Sequence, residues 1–94
     1  MKVLWTPEAY QDRIEIWDYI AADNPQAAIT LDTLFSETVA ELALCPLLGQ
    51  PGKIPGTREI ILHKNYRLVY EIRNDVLWLL MLVHTARPWP SPPA

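Results

Sequence analysis

The pattern of apolar and polar positions divides the chain into a helical first half and a strand-forming second half. Two segments carry apolar residues at helical spacing, and each opens with a capping residue followed by proline, Thr6-Pro7 and Asn24-Pro25. The two apolar stripes are Tyr10, Ile14, Trp17 and Ala21, and then Ala27, Leu31, Leu34, Phe35, Val39 and Leu42. The pattern predicts a hairpin of two helices, one over about residues 7–22 and one that ends at Cys45-Pro46.

The remaining segments predict a sheet. One short strand precedes the helices and three follow them, over Lys2–Trp5, Arg58–His63, Tyr66–Ile72 and Val76–Val83. Segment 46–56 holds three prolines and all three glycines, which is typical of a loop, and tail 88–94 is too rich in proline to join a ladder. The order β-α-α-β-β-β predicts one α+β domain over residues 1–94, a helical hairpin on a mainly antiparallel four-stranded sheet.

The strand patterns also predict what lies on the two faces of this sheet. Alternation puts Tyr66, Leu68 and Tyr70 on one face and Arg67 on the other. Val76–Val83 is continuously apolar, which is typical of a strand covered on both faces. Two helices can cover only one face, so an apolar face stays open, and such a face on a small domain predicts a protein partner.

Composition excludes several classes of protein. Half of the 94 residues are hydrophobic, which suits a compact core, while no apolar run approaches the roughly 18 residues of a membrane helix. The lone Cys45 excludes an internal disulfide and a cysteine-based zinc cluster, and we expect it to be a small buried hydrophobe. There is no glycine-rich phosphate loop and no metal-ligand spacing, so we expect neither metal nor cofactor. Pro7 interrupts the start too early for a signal peptide, and we expect a cytoplasmic protein without membrane contact.

Charge is distributed unevenly along the chain. Residues 1–50 hold two basic and eight acidic side chains, and residues 51–94 hold six basic and three acidic ones. The halves therefore carry −6 and +3, which add to the net charge of −3. The basic half favours an acidic partner, but the net negative charge disfavours nucleic-acid binding through bulk charge.

Candidate chemistry concentrates in the basic half. Arg58, Arg67, His84 and Arg87 fall at or near predicted strand ends. Such a group could hold a phosphate and stabilise a pentavalent intermediate with His84 as acid or base, or it could anchor acidic residues of a partner. A structural role competes with both of these functions, since Arg67 could form an ion pair with Glu71. Trp5 and Trp17 are expected to be core residues. Trp89, between prolines, is either a lid over the core or an exposed anchor for a partner.

These segments together resemble the RelE/ParE superfamily of toxins from bacterial type II toxin–antitoxin modules. The matching stretches cover nearly the whole chain: 5–9, 17–21, Ala27-Ala28, 55–59, the Asn-Tyr-Arg-Leu-Val-Tyr strand 65–70, and the His-x-x-Arg ending 83–87 with Trp89-Pro90. The resemblance implies a toxin neutralised by a cognate antitoxin, whose C-terminal segment wraps the toxin. It also implies contact with operator DNA only through the antitoxin.

The superfamily has two kinds of target. RelE-like members cut mRNA on the ribosome, and this resemblance would make Arg67, His84 and Arg87 catalytic. Arg87 matches their second arginine only loosely, and Pro88-Trp89-Pro90 stands where they carry a tyrosine. ParE-like members inhibit DNA gyrase and need no catalytic residue. The ending looks closer to ParE, which predicts a gyrase inhibitor with Arg58, Arg67, Arg87 and Trp89 as partner-binding residues. A non-toxic module whose sheet binds an acidic peptide is the remaining alternative.

Overall fold

Both helices begin at the predicted capping residues. In the computed structural model, which describes residues 1–90, the Thr6 hydroxyl accepts the amide of Ala9 at 3.2 Å and the Asn24 side chain accepts the amide of Ala27 at 3.1 Å. Each cap satisfies an amide that has no partner within the helix. The two helices are α1, Pro7–Ala21, and α2, Pro25–Leu44.

The sheet has five strands, one more than the sequence predicts. The strands are β1, Lys2–Trp5; β2, Gln50–Pro51; β3, Arg58–Leu62; β4, Tyr66–Arg73; and β5, Val76–His84. Their spatial order is β1-β5-β4-β3-β2, with β1 parallel to β5 and every other pair antiparallel. Strand β3 stops at Leu62 rather than His63 because His63 and Lys64 take positive φ angles of 52° and 61° in the turn.

The extra strand β2 lies within the segment predicted to be a loop. The buried Tyr70 hydroxyl accepts the amide of Gly49 at 3.0 Å and donates to the carbonyl of Pro46 at 2.7 Å. A Cβ on Gly49 would lie 2.7 Å from both that hydroxyl and the main chain of β3, so the close approach requires glycine. The Arg58 guanidinium also donates to carbonyls of the segment. These contacts hold residues 50 and 51 against β3.

The core lies between the helices and one face of the sheet, which we call the core face. Its buried strand residues are Leu62, Tyr66, Leu68, Tyr70, Leu77, Leu79 and Leu82. Helix α2 packs on them through the predicted stripe, with Leu31, Phe35 and Leu42 buried. The opposite surface, here the outer face, carries Leu4, Ile61, Arg67, Val69, Trp78, Met81 and Val83.

Helix α1 is rotated relative to the predicted orientation. Its contacts with the core come from Ala9, Ile16 and Ile20, while the side chains of Tyr10 and Trp17 are 60% and 38% exposed. Polar contacts fix this rotation. Asp12 accepts the amide of Leu82 at 3.0 Å, and Arg13 forms a 2.6 Å ion pair with Asp32 on α2. Trp5 packs against the core as expected, whereas Trp17 does not, and Cys45 is exposed rather than buried.

Among residues 1–90 no helix lies over the outer face. Val69 is fully buried there, Leu4, Trp78, Met81 and Val83 are half-buried, and Ile61 is 50% exposed. Among residues 1–90 the tail reaches this face through Trp89, whose indole bonds to Glu59 next to Val69 in the sheet. Residues 91–94 of the proline-rich tail lie outside the described residues.

Candidate functional site

Arg67 stands on the outer face in an ion pair. Its Nε lies 3.0 Å from Oε1 of Glu59, and only 15% and 12% of the two side chains are exposed. The Nε–H is not directed at that oxygen, so the contact is electrostatic rather than a well-formed hydrogen bond. The partner is therefore Glu59 on β3 and not Glu71, which pairs with Arg73 at 3.4 Å.

Glu59 is the centre of a network that also holds the tail. The Trp89 indole donates to Oε2 of Glu59 at 2.7 Å, and the Lys53 amide donates to the same oxygen at 3.0 Å. The Lys53 ammonium donates to the Trp89 carbonyl at 3.2 Å. We call Lys53, Glu59, Arg67 and Trp89 the Glu59 cluster. Within it Glu59 holds the Trp89 indole on the outer face, and its carboxylate neutralises the charge of Arg67 that a phosphate would seek.

His84 and Arg87 lie on the other side of the sheet. His84 is opposite Tyr66 in the ladder, with ring centroids 5.2 Å apart, and Tyr66 belongs to the core face. The amide of Ala86 donates to Nδ1 of His84 at 3.0 Å, so Nδ1 is a hydrogen-bond acceptor in this imidazole. Since Arg67 is the next residue after Tyr66 on β4, its side chain leaves the opposite face. The sheet therefore separates Arg67 from His84.

A cleft of about 570 Å³ opens between α1 and the end of β5. Its lining residues are Asp12, Glu15, Ile16, Tyr19, Tyr66, Leu82, His84, Ala86 and Arg87. Tyr66 and Leu82 are buried at the bottom of the cleft and Ile16 is half-buried, whereas Glu15, Tyr19, His84, Ala86 and Arg87 are exposed around its rim. Among the described residues neither Asp12 nor Arg87 forms an ion pair. We call this cavity the α1–β5 cleft.

Burial determines the proton affinity of two groups in the α1–β5 cleft. Desolvation raises the pKa of Asp12 above its usual value, and the nearby Glu15 adds to the rise, although the bond from the Leu82 amide and the charge of Arg87 oppose it. Desolvation also raises the pKa of the Tyr66 hydroxyl. The carboxylate of Asp12 is therefore a negative charge that the protein itself does not fully compensate.

Arg58 is the fourth candidate from the sequence, and it lies apart from both groups. Its guanidinium donates to the carbonyl of Leu47 at 3.2 Å and to that of Gly49, so it holds the β2 segment in place. The structure thus brings His84 together with Arg87, places Arg67 with Trp89, and leaves Arg58 with the loop. Sequence reasoning missed Glu59 and Asp12. For Glu59 the sequence did offer a signal, because strand alternation puts Glu59 and Arg67 on the same face of the sheet.

The described part of the chain has no cluster of three or more histidine, cysteine or acidic side chains arranged to bind a metal ion. None of its helices has the length and hydrophobicity needed to cross a membrane.

Comparison with known proteins gives concordant results. The family model for the ParE toxin of the type II toxin–antitoxin system parDE matches residues 3–89. The curated "Putative toxin Y4kP" of Sinorhizobium fredii (strain NBRC 101917 / NGR234) is 36% identical over 91 residues, which span 96% of this chain and 94% of that protein.

Two solved structures share the fold. A chain of the chromosomal ParDE TA system from P. aeruginosa superposes with a TM-score of 0.79 at 22% identity, covering 89% of this chain and 95% of its own. The YoeB/ParE toxin from Agrobacterium tumefaciens gives a TM-score of 0.64 at 13% identity, covering 89% and 98%. At these identities the likeness concerns the fold.

Proposed function

The chain belongs to the ParE toxin family of type II toxin–antitoxin systems, and we propose that it arrests growth by inhibiting DNA gyrase in the cytoplasm when it is free of its antitoxin. The observation that carries this proposal is the position of the candidate catalytic residues. Arg67 leaves the outer face of the sheet, whereas His84 and Arg87 line the α1–β5 cleft on the opposite side.

A nuclease centre requires these groups to meet at one phosphate. Acid–base catalysis and charge stabilisation both depend on side chains placed within hydrogen-bond distance of the same reacting group. Here the sheet lies between Arg67 and the histidine. In addition, Glu59 already neutralises Arg67 and accepts the Trp89 indole N–H, so an incoming phosphate would meet a carboxylate. An inhibitor that acts by docking has no such requirement.

The same geometry supports a division of roles among the candidate partner-binding residues. Arg87 is exposed and makes no ion pair among residues 1–90, so we propose it as the arginine that contacts a partner. The Arg58 guanidinium donates to an internal carbonyl, and the Arg67 guanidinium is paired with the Glu59 carboxylate. The antitoxin is proposed to cover the outer face, where Ile61 is half exposed and Trp89 lies at the border.

The decisive experiment compares the two targets with one preparation of protein. Purified toxin is added to a DNA gyrase supercoiling assay and, in parallel, to a ribosome-dependent mRNA cleavage assay. We expect loss of supercoiling with trapped, cleaved DNA and no mRNA cleavage. Arg87→Ala should weaken gyrase inhibition at least fivefold, while Arg73→Ala, a matched exposed arginine on β4, should not. Cleavage of mRNA without an effect on gyrase would overturn the proposal.

A further inference from the structure

The α1–β5 cleft combines features that together indicate a chemical class of ligand. A half-buried carboxylate, Asp12, lies among apolar walls formed by Ile16, Leu82 and the Tyr66 ring. The volume of the cleft, about 570 Å³, falls within the range of ligand-binding cavities. A cavity with an apolar passage and an anionic group within it fits a side chain that has an alkyl stem and a cationic head.

We propose that the α1–β5 cleft binds a lysine or arginine side chain of a polypeptide partner. Asp12 would accept the cationic head, Glu15 at the rim would add a second carboxylate, and the ring faces of Tyr19 and Tyr66 would flank the cation. Arg87 on the opposite rim would meet an acidic group next to the basic residue in the partner. This site does not depend on gyrase being the target.

Three observations favour a cationic ligand over an anionic one. Asp12 is half-buried, whereas the basic side chain of the cleft, Arg87, is exposed at the rim. Asp12 and Arg87 do not form an ion pair, so the carboxylate keeps acceptor capacity beyond the one bond from the Leu82 amide. The first half of the chain, which supplies α1, carries a net charge of −6, which attracts basic rather than acidic segments.

A polypeptide fits the cleft better than a free small cation. The cavity extends from α1 to the turn at Ala86 and Arg87, so it spans groups of opposite charge. A basic side chain with its flanking backbone can contact both rims at once, whereas a small polyamine offers nothing that Arg87 could bind. The exposed Tyr19, 81% accessible, adds an aromatic surface for the neighbouring residues of such a segment.

The test measures peptide binding directly. Isotope-labelled full-length protein is titrated with a hexapeptide that carries a central arginine, and with the same peptide carrying citrulline, the neutral isostere. We expect amide shifts in Ile16, Leu82 and His84 that saturate with the arginine peptide, and at least fivefold weaker binding of the citrulline peptide. Equal binding of the two peptides, or equally strong shifts with spermidine alone, would overturn the proposal.

Two double variants separate the site from general charge. Asp12→Asn with Glu15→Gln removes both carboxylates but keeps an oxygen that accepts the Leu82 amide, and it should reduce binding at least tenfold. Glu37→Gln with Glu41→Gln makes the same change of charge on the exposed surface of α2 and should leave binding unchanged. Loss of binding in both would contradict a specific site. Tyr19→Ala, at an exposed position, gives an independent variant that should weaken binding if the first variant fails to fold.

Discussion

The ion pair between Glu59 and Arg67 determines whether Arg67 is free for chemistry, and a double-mutant cycle measures it. Two unit charges 3.0 Å apart attract by roughly 5 kcal/mol at an effective dielectric constant near 20. Desolvation and lost side-chain freedom offset about half of this attraction, since both side chains are largely buried. We expect a coupling free energy of about 2 kcal/mol, above the roughly 0.2–1 kcal/mol of exposed pairs.

The cycle uses urea unfolding of the wild type, Glu59→Ala, Arg67→Ala and the double variant. The pair of Arg73 and Glu71 is a matched control, because its atoms are 3.4 Å apart but its side chains are 60% and 27% exposed, and its coupling should stay below about 1 kcal/mol. Coupling below about 0.5 kcal/mol for Glu59 and Arg67 would refute the view that Arg67 is neutralised. Folded Arg67→Ala should still arrest growth when expressed without antitoxin.

Two more predictions concern buried polar groups. Tyr70→Phe removes a hydroxyl with two hydrogen-bond partners and should lower the free energy of unfolding by about 2–4 kcal/mol, while Tyr10→Phe, at a 60% exposed position, should change it by less than about 0.5 kcal/mol. For Asp12 the raised pKa means that the unfolded chain ionises first as pH rises above 3.8, so ionisation costs stability at neutral pH. Thermal melting at a series of pH values should therefore show that the melting temperature of Asp12→Asn rises relative to that of the wild type as pH increases. This difference should vanish below the ordinary pKa of aspartate, and a difference that grows toward low pH would contradict the prediction.

The sequence was sufficient for the element order because local signals determined it. The two cap-and-proline pairs begin both helices at the predicted residues, and alternation along β4 places its side chains on the predicted faces. Such signals depend on neighbours in the chain. The fifth strand could not be found this way, because two residues, one of them Pro51, carry no periodicity and the strand depends on the hydroxyl of the distant Tyr70.

The rotation of α1 also could not be predicted from the local pattern of apolar residues. The helix presents two apolar stripes, one with Tyr10, Ile14 and Trp17 and one with Ala9, Ile16 and Ile20. Periodicity alone favours the stripe with the larger aromatic side chains. The fold uses the other, because buried Ala9 permits close approach to the sheet and Asp12 bonds to Leu82. Glu59 was missed although strand alternation offered a signal, because its charge partner Arg67 lies on the neighbouring strand of the hairpin rather than on the same strand.

A bulge in β5 connects the rotation of α1 to the proposed function. Val69 pairs with Met81 and Tyr70 with Leu79, so β5 carries one extra residue, Leu80, at this point. The Thr6 hydroxyl donates to the carbonyls on both sides of this irregularity, at 2.9 Å to Leu79 and 3.2 Å to Leu80. Thr6 thus anchors the start of α1 at the bulge, and the bond from Leu82 to the next turn of α1 follows from it.

The same bulge decides which face His84 occupies. An extra residue reverses the alternation of all later side chains, so Leu82 and His84 share the core-face side with Leu79. If Leu80 instead paired as a regular member of the ladder, the alternation would continue unbroken and would place His84 on the outer face, the face of Arg67. The chain carries the residue types of a nuclease centre, but the bulge at Leu80 directs the histidine to the α1–β5 cleft. The separation that supports gyrase inhibition over RNA cleavage therefore arises from strand register rather than from the absence of suitable residues.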